Sequence, residues 1–143
     1  MTLERPFLRD ARVDETSAIL DLWRAAYEPS SPRSTQEDIP ALLAHGSAAR
    51  LIVAEIDGRI AGTLIATFDG WRGNMYRLAV HPGFQRRGIA RRLVEEAHAW
   101  LRDRGCQRVT ALVEGDHEYA TGFWESAGYQ HDARMRRYSL VLD

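Results

Sequence analysis

A long amphipathic helix between two apolar runs restricts the fold more than any other feature of the sequence. The helix is predicted over Gly88 to Arg104, and its apolar stripe consists of Ile89, Leu93, Ala97, Trp100 and Leu101. Gly105 is the expected C′ residue, at which the helix ends. Apolar runs precede and follow it at Asn74 to His81 and Arg108 to Val113. Because a helix connects these runs, we expect two parallel strands, the second of them buried.

An Asp57-Gly58 pair predicts an antiparallel hairpin earlier in the chain. The pair lies between two apolar runs, Leu51 to Ile56 and Ile60 to Phe68. Asp-Gly tolerates the positive φ angles of a two-residue turn between paired strands. Strands are also predicted near the two ends of the chain, at Phe7 to Arg12, Tyr129 to His131 and Arg136 to Leu142.

Three shorter helices complete the predicted secondary structure. Asp14 is the expected N-cap of the first, which should end near Glu28-Pro29. The segment Ser34 to Glu37 has the spacing of a capping box and predicts the start of a second helix. Glu118 to Ala127 is predicted to be a third, stopped by Gly128.

The length and composition fit one globular domain. The 143 residues are 45% hydrophobic and 27% charged, which are ordinary values for a folded protein. Together with the order of elements, they predict a single α/β (α+β) domain over residues 1–143. Its core is expected to be a mixed, mostly antiparallel central sheet of six to seven strands flanked by about four helices.

Charge and cysteine content argue against several classes of function. The formal net charge is −1, which gives no general electrostatic reason to bind nucleic acid or an anionic membrane. Cys106 is the only cysteine, and the sequence has no zinc ligand set, so we expect neither a disulfide nor a metal site. No window approaches the ~18 apolar residues of a spanning helix, and the first ten residues lack a signal peptide's apolar stretch. A cytoplasmic location is therefore expected.

The segment between the fourth strand and the long helix predicts an anion site. It reads Pro82-Gly83-Phe84 and then Gln85-Arg86-Arg87-Gly88-Ile89-Ala90. Backbone N–H groups at a helix start, beside two Arg side chains, bind phosphate. Gly88 allows a ligand to approach the backbone closely, and Ala90 adds no bulk. On this pattern alone, an ordinary turn with exposed arginines remains the alternative. The sequence lacks both GxxxxGK[ST] and a GxGxxG after the first strand, so the common nucleotide-binding fingerprints are excluded.

Two motifs make this segment resemble a known family. Leu78 to Pro82 followed by Gln85 to Ala90 is similar to motif A of the GNAT N-acetyltransferase superfamily. Ala120 and the segment Phe123 to Tyr129 are similar to its motif B. The order of the remaining elements also fits, so the resemblance covers nearly the whole chain. Within the superfamily, the sequence most resembles small bacterial members of the ribosomal-protein-alanine acetyltransferase type.

The resemblance implies acetyl-CoA as cosubstrate and no metal. It implies that backbone groups of Leu78, Ala79 and Val80 pair with the pantetheine arm, and that a backbone N–H at Val80 polarises the thioester carbonyl. Arg86 through Arg91 would form the pyrophosphate cradle. The full set of residues implied to bind CoA is Leu78, Ala79, Val80, Gln85, Arg86, Arg87, Gly88, Ile89, Ala90, Arg91, His117, Ala120, Phe123 and Trp124.

The sequence departs from the family at the positions that move protons. Trp124 stands where relatives often have a Tyr acid, Asn74 where several have a Glu base, and His117 where an Asn is common. The catalytic candidates are therefore His117, Glu114 and Tyr138, with Asp116 and Tyr119 as further substitutes. His117 is preferred because its ordinary pKa of ~6.5 suits proton transfer near neutrality. Each of these residues is alternatively a solvated loop residue or a packed aromatic.

The predicted function is acetyl transfer to an amine by direct attack in a ternary complex. A Lys-type amine with a pKa of ~10.4 is neutral at pH 7 about once in 2,500 molecules, a cost of roughly 4.6 kcal/mol. An α-amine with a pKa of ~7.7 to 8.0 costs roughly 1 to 1.4 kcal/mol. Without a strong base, a small-molecule or peptide amine of low pKa is the easier acceptor. The alternatives are a catalytically silent acyl-CoA-binding or regulatory module and, for the assembly, a homodimer through an edge strand.

Overall fold

A five-stranded sheet is the main element of the structure. The computed structural model describes residues 5–26, 36–113 and 118–142, and the chain divides into two compact units, Met1–Leu112 and Val113–Asp143. The strands all lie in the first unit and are β1 (Phe7–Asp10), β2 (Ala49–Ile56), β3 (Arg59–Phe68), β4 (Gly73–Val80) and β5 (Val109–Ala111). Their order is β1-β2-β3-β4-β5. Neighbours are antiparallel, except that β4 and β5 are parallel, as the intervening helix predicts.

The predicted hairpin joins β2 to β3. Ile56 pairs with Arg59, so Asp57 and Gly58 form a two-residue loop. Their φ angles are 53° and 74°, both in the left-handed region that such a turn requires. The prediction from the Asp-Gly pair is confirmed.

The helices of the first unit are α1 (Thr16–Ala26), α2 (Asp38–Leu43) and α3 (Ile89–Asp103), and the second unit contains α4 (Glu118–Ser126). The buried face of α3 consists of Ile89, Leu93, Val94, Ala97 and Leu101. This face confirms the predicted stripe, except that Trp100 is only half-buried.

A Schellman motif ends α3 at the predicted glycine. Gly105 has a φ of 81°, and its N–H donates to the carbonyl of Arg102 at 2.9 Å. The N–H of Cys106 donates to the carbonyl of Leu101 at 3.0 Å. These two bonds satisfy carbonyls that the end of a helix leaves without partners.

Each face of the sheet packs against a helix. On one face, α1 buries Ile19, Leu20, Leu22 and Trp23 in a cluster with residues that include Leu51, Val53, Ile65 and Ala79. On the other face, α3 lies against Gly62 of β3. A Cβ atom at Gly62 would lie 3.0 Å from Cγ2 of Ile89 and 3.1 Å from Cδ1 of Leu93. The missing side chain therefore permits the close approach of α3, whose first residue follows the candidate anion site.

The predicted number of strands is wrong. The sheet has five strands rather than six to seven, and the described part of the second unit contains none. Tyr129 to His131 and Arg136 to Leu142 are strand-like in composition, but residues 130–142 are all exposed. A strand needs a partner for its backbone N–H and C=O groups, and composition does not supply one. The fifth strand is also less buried than predicted, since Thr110 is exposed and its two neighbours are half-buried.

The start of the first helix also differs from the prediction. A 3₁₀ turn at Val13–Glu15 precedes α1, and Arg12 occupies its N-cap position. The backbone N–H of Arg12 donates to Oε1 of Glu15 at 2.8 Å, whereas the Asp14 side chain is 78% exposed. The Glu15 carboxylate, rather than that of Asp14, therefore accepts the hydrogen bond from the backbone N–H at the N-cap position.

Some predictions concern residues outside the described ranges. These are the capping box beginning at Ser34 and the helix end near Glu28-Pro29; the second helix itself is present as α2. The extent of one domain over residues 1–143 stays a prediction. Within the described ranges, no helix is both long enough and apolar enough to cross a bilayer.

An ion-pair network ties β1 to the start of α1. Arg9 donates to both oxygens of Glu15 at 2.9 and 2.7 Å and to Glu55 of β2 at 3.0 Å. The hydrogen bond from Arg9 lowers the pKa of the Glu15 carboxyl from 4.5 to about 2, against the opposing effect of burial, and the Arg12 backbone adds to the lowering. The network therefore stabilises the folded state only while Glu15 is ionised.

Glu15→Gln should reduce the acid sensitivity of folding. The folded pKa lies below the unfolded one, so the stabilisation is present above pH 4.5 and is lost as the pH falls towards about 2. We expect the free energy of unfolding, measured with urea between pH 6 and pH 2.5, to fall less steeply in Glu15→Gln than in the wild type. Asp14→Asn, at the neighbouring exposed carboxylate, is the control. Equal slopes for the wild type and Glu15→Gln would contradict the role of the network.

Gly62→Ala should destabilise the protein by about 1–3 kcal/mol, because the added methyl group overpacks the contact between β3 and α3. The Cβ would also lie 3.1 Å from the backbone carbonyl of Ala79, which cannot rotate away. Gly46→Ala is the matched control, since nothing lies within 4 Å of its Cβ position. Urea unfolding midpoints measure both changes, and equal midpoints would contradict the packing argument.

Candidate active site

The turn before α3 has the backbone geometry of an anion site. Gly88 is the N-cap residue of α3 with a φ of 76°, and Arg86 has a φ of 64°. The N–H of Arg92 is the first to bond within this helix, to the carbonyl of Gly88 at 3.1 Å. The N–H groups of Ile89 and Ala90 therefore have no partner within the helix. Among the described residues, no atom outside Gly88 and its two chain neighbours lies within 4 Å of the Cβ position of Gly88, so a ligand could reach this backbone.

Basic side chains surround the turn. Gln85, Arg86, Arg87 and Arg91 are all exposed. The guanidinium of Arg87 lies 5.2 Å from the ring centroid of Phe84, and that of Arg59 lies 5.7 Å from the same ring. Positive charge is thus concentrated beside the start of α3, where the helix dipole also favours an anion. Arg59, which reaches this ring from β3, is absent from the set predicted from the sequence.

A β-bulge interrupts β4 before it reaches this turn. Thr63 of β3 pairs with Ala79 and Ile65 pairs with Tyr76, so Leu64 alone faces two residues of β4, Arg77 and Leu78. Arg77 has a φ of 55°. Bulges of this kind bend a strand and increase its twist.

A buried chain of two hydrogen bonds holds the bulge. Nε1 of Trp23 donates to Oγ1 of Thr63 at 2.9 Å, and Oγ1 of Thr63 donates to the carbonyl oxygen of Arg77 at 3.0 Å. Thr63 is fully buried and Trp23 is 6% exposed. The guanidinium of Arg77 lies 5.0 Å from the centroid of the Trp23 ring. We call this arrangement of Trp23, Thr63 and Arg77 the bulge relay.

Among the described residues, the pairing of β4 with β5 ends at Met75, before the bulge. Their register covers only Gly73–Met75 of β4 and Val109–Ala111 of β5. The N–H of His81 donates to the carbonyl of Ala61 at 2.8 Å. Since bonded and non-bonded pairs alternate along antiparallel strands, the N–H and C=O of Val80 point away from β3. The backbone of Val80 therefore faces the edge of β4 opposite β3, beyond the three residue pairs that join β4 to β5.

In the second unit, aromatic packing stabilises α4. Gly128 has a φ of 97°, and the N–H of Tyr129 donates to the carbonyl of Trp124 at 3.0 Å, which forms a second Schellman motif. The rings of Trp124 and Tyr129 lie edge to face with centroids 4.8 Å apart, and those of Trp124 and Phe123 are 5.4 Å apart. Trp124 is 8% exposed. Ala120 is half-buried on the same helix.

The predicted catalytic residues are only partly described. His117, Glu114 and Asp116 lie outside the described residues, as does the side chain of Tyr119. Tyr138 is described and is 89% exposed. Asn74 is half-buried in β4, where it pairs with Thr67 and Thr110. No group of three or more His, Cys, Asp or Glu among the described residues could hold a metal ion.

The bulge relay was not predicted from the sequence. Trp23 is placed on the apolar face of a helix and Thr63 within an apolar strand, so both read as ordinary core residues. The one available signal is chemical, since a buried indole N–H and a buried hydroxyl each need a partner. Their separation of 40 residues hides that they partner one another.

The fold is shared with solved structures of acetyltransferases. A putative acetyltransferase from Agrobacterium tumefaciens str. C58 superposes with a TM-score of 0.77 at 19% identity, over 95% of this chain and 99% of that one. An aminoglycoside 6′-N-acetyltransferase from Acinetobacter haemolyticus gives 0.78 at 20% identity, over 96% and 99%. An aminoglycoside 6′-acetyltransferase in complex with the bisubstrate analog CoA-S-monomethyl-acetylneamine gives 0.78 at 16% identity, over 97% and 100%. At these identities the likeness shows the fold alone.

The family follows from a match over most of the sequence. Residues 16–129 match the family model described as Acetyltransferase (GNAT) family. The matched range contains the bulged strand β4, the turn that precedes α3, and also the helix α4. It does not single out members of the ribosomal-protein-alanine type. The chain belongs to the acetyltransferase (GNAT) family.

Proposed function

We propose that this chain transfers an acetyl group from acetyl-CoA to an amine by direct attack in a ternary complex. The observation that carries the proposal is the bulge in β4, which follows the three residue pairs that join β4 to β5 and comes shortly before a helix start that suits an anion. A bulged strand and an anion site that follow one another along the chain fit a ligand with an amide-containing arm and phosphate groups.

The residues at the start of α3 fit the pyrophosphate of CoA. The left-handed Gly88 exposes the first N–H groups of the helix, and the side chains of Arg86, Arg87 and Arg91 are exposed beside them. Backbone N–H groups would bind phosphate oxygens directly, and the arginines would add charge-assisted hydrogen bonds. Gln85, Ile89 and Ala90 belong to the same proposed cradle.

The segment Leu78 to Val80 fits the pantetheine arm. It follows the three residue pairs that join β4 to β5, and we propose that the amides of the arm pair with its backbone as an added strand would. The N–H of Val80 points away from β3 and would donate to the thioester carbonyl. Ala120, Phe123, Trp124 and His117 are proposed for the same ligand on the resemblance to motif B.

Acetyl-CoA, when bound, supplies an acyl carbon at which the amine nitrogen forms a C–N bond while the C–S bond breaks, the sulfur taking the electron pair. The acceptor must lose one proton and the thiolate must gain one. His117 is the proposed group for proton transfer, with Glu114 and Tyr138 as substitutes. The strand position occupied by Asn74 offers no base, because an amide side chain does not titrate.

The proposed acceptor is an α-amine or another amine of low pKa. This preference follows from the missing Glu and Tyr, because water can deprotonate an α-amine at a much smaller cost than a Lys side chain. Peptide N-termini are therefore the first acceptors to test.

A catalytically silent acyl-CoA-binding module is the second candidate. One observation favours it: Trp124, at the position of the usual acid, is buried against Tyr129, and an indole N–H is not a proton donor of suitable acidity. Such a module would bind acetyl-CoA without releasing thiol. Binding and turnover must therefore be measured separately.

Gly88→Ala should weaken acetyl-CoA binding. The left-handed φ of 76° costs a residue with a Cβ about 1–2 kcal/mol, so the turn would relax and its N–H groups would lose their alignment. We expect the stabilisation by acetyl-CoA, at a fixed concentration 100 times the wild-type Kd, to fall from about 2.7 kcal/mol to less than half of that. Differential scanning fluorimetry with and without acetyl-CoA makes the measurement.

The control is Gly105→Ala at the other end of α3. Its φ of 81° is nearly the same, and no atom lies within 4 Å of either Cβ position. Both variants should lose similar stability without ligand, but only Gly88→Ala should lose the response to acetyl-CoA. An equal response in the two variants would contradict the proposed cradle.

Peptide α-amines should be acetylated at least tenfold faster, in kcat/KM at pH 7, than the Lys side chain of a peptide with a blocked N-terminus. The neutral fractions of the two amines at pH 7 differ by about 250-fold. The expected rate ratio is smaller, because the neutral Lys amine is the stronger nucleophile. Thiol release and product mass, measured on the two peptides, give the ratio. A preference for the Lys side chain would contradict deprotonation by water.

The pH dependence separates water from His117 as the proton acceptor. With water alone, kcat/KM should rise with pH and level off near the acceptor's own pKa of ~7.7 to 8.0. A bell-shaped profile that His117→Ala abolishes would overturn the water-only version and identify His117 as catalytic. Thermal stabilisation by acetyl-CoA without thiol release above background would instead support the silent module.

A further inference from the structure

We propose that Trp23 and Thr63 are positioning residues for the acyl-donor segment of β4. Through the bulge relay, they fix the orientation of the peptide group between Arg77 and Leu78, and with it the backbone that follows. The consequence for catalysis rests on the proposed function, whereas the consequence for the conformation of β4 does not.

In the bulge relay, the indole N–H of Trp23 and the hydroxyl of Thr63 both have hydrogen-bond partners. Trp23 reaches Thr63 from α1, and the hydroxyl of Thr63 passes one hydrogen bond on to β4, at 2.9 and 3.0 Å. A hydroxyl has one proton to donate, so the indole N–H, by donating to Thr63, leaves the hydroxyl proton for Arg77. In the described part of the chain, no buried side-chain N or O lacks a hydrogen-bond partner, and Thr63 is the one polar residue among the fully buried ones.

The bulge needs such support because Arg77 is strained. A left-handed φ of 55° at a residue with a Cβ costs about 1–3 kcal/mol and persists only when neighbouring contacts determine it. Regular pairing of β4 with β3 would avoid this cost. Arg77 is instead held twice, by the hydroxyl of Thr63 at its carbonyl and by the ring of Trp23 at its guanidinium.

The direction of one carbonyl determines the direction of the next N–H. No peptide bond among the described residues is cis, so the C=O of Arg77 and the N–H of Leu78 point in opposite directions across one planar group. The hydroxyl of Thr63 holds that carbonyl on the α1 face of the sheet. The N–H of Leu78 is thereby turned away from α1, and the strand resumes its pairing at Ala79 with the backbone of Val80 pointing away from β3.

Thr63→Val tests the relay with almost no change in side-chain volume. The methyl group cannot donate to Arg77 or accept from Trp23, so the bulge loses both bonds. Thr67→Val is the matched control, since it makes the same substitution on β3, one pair away from the end of the β3–β4 ladder at Phe68 and Gly73. Thr63→Ser restores the hydroxyl and should restore the wild-type behaviour.

The first measurement needs no acceptor and no turnover. We expect amide hydrogen exchange in residues 76–80 to be about tenfold faster in Thr63→Val than in Thr67→Val, with exchange in the β2–β3 pair unchanged. Trp23→Phe keeps the aromatic ring but removes the indole N–H, and it should give a smaller increase of about threefold. If Thr63→Val folds poorly, Trp23→Phe alone decides the same question. Exchange equal to that of the Thr67→Val control would overturn the proposal.

The second measurement separates positioning from general stability. Thr63→Val should lower kcat for acetyl transfer about tenfold and change the KM for acetyl-CoA less than about threefold, because misplacing the polarising backbone affects the reaction more than binding. Ile52→Val, at a fully buried residue of β2 outside the relay, supplies a destabilised control with normal kcat. A kcat in Thr63→Val equal to that of Ile52→Val, or no rescue by Thr63→Ser, would overturn the inference.

The two readouts distinguish failure of this inference from failure of the proposed function. If the wild-type protein neither responds to acetyl-CoA nor releases thiol, the proposed function is wrong, and hydrogen exchange still decides whether the relay fixes β4. If the wild-type protein turns over and Thr63→Val behaves like Thr67→Val, the proposed function stands and the positioning role is wrong.

Discussion

One strained residue inside a strand determines the shape of the candidate site. Arg77 has a left-handed backbone where the rest of β4 is extended, and its bulge comes just after the last residue pair between β4 and β5, at Met75. The strain is offset by buried contacts from α1 and β3, which are the hydroxyl of Thr63 and the ring of Trp23. The bulged shape of β4 is therefore a property of the core on the α1 face rather than of the turn proposed to bind an anion.

The sequence predicts the features that depend on neighbouring residues. The Asp57-Gly58 turn, the buried stripe of α3 and the glycine at its end are determined within a few residues, and all three are confirmed. The bulge relay depends on contacts across 40 and 14 residues, and no local pattern encodes such a pairing. The C-terminal runs failed as predictions for the related reason that strand composition does not supply a strand partner.

The two halves of the proposed reaction depend on the chain in different ways. Acetyl-CoA would be held largely by backbone groups, at Val80 and at the start of α3, which tolerate changes of side chain as long as Gly88 and the bulge remain. Proton transfer depends on individual side chains, and the chain has Trp124 and Asn74 where relatives often have acids and bases. Membership of the family therefore supports acetyl-CoA as the proposed acyl donor. The acceptor amine and the group that deprotonates it must be established by experiment.

The short pairing between β4 and β5 gives the first unit two regions of unequal stiffness. Each residue of β2 from Ala49 to Ile56 has a partner on β3, with one register shift between Ala54 and Glu55, whereas β5 is attached through three residue pairs. Local opening starts where the fewest backbone hydrogen bonds must break. Among the described residues, the pairing of β5 with β4 is therefore a sheet contact that opens at small cost, while the bulged strand stays attached to β3 through a longer ladder. A ligand that binds along β4, as proposed, would lie against a strand fixed on its β3 side and next to a more compliant neighbour.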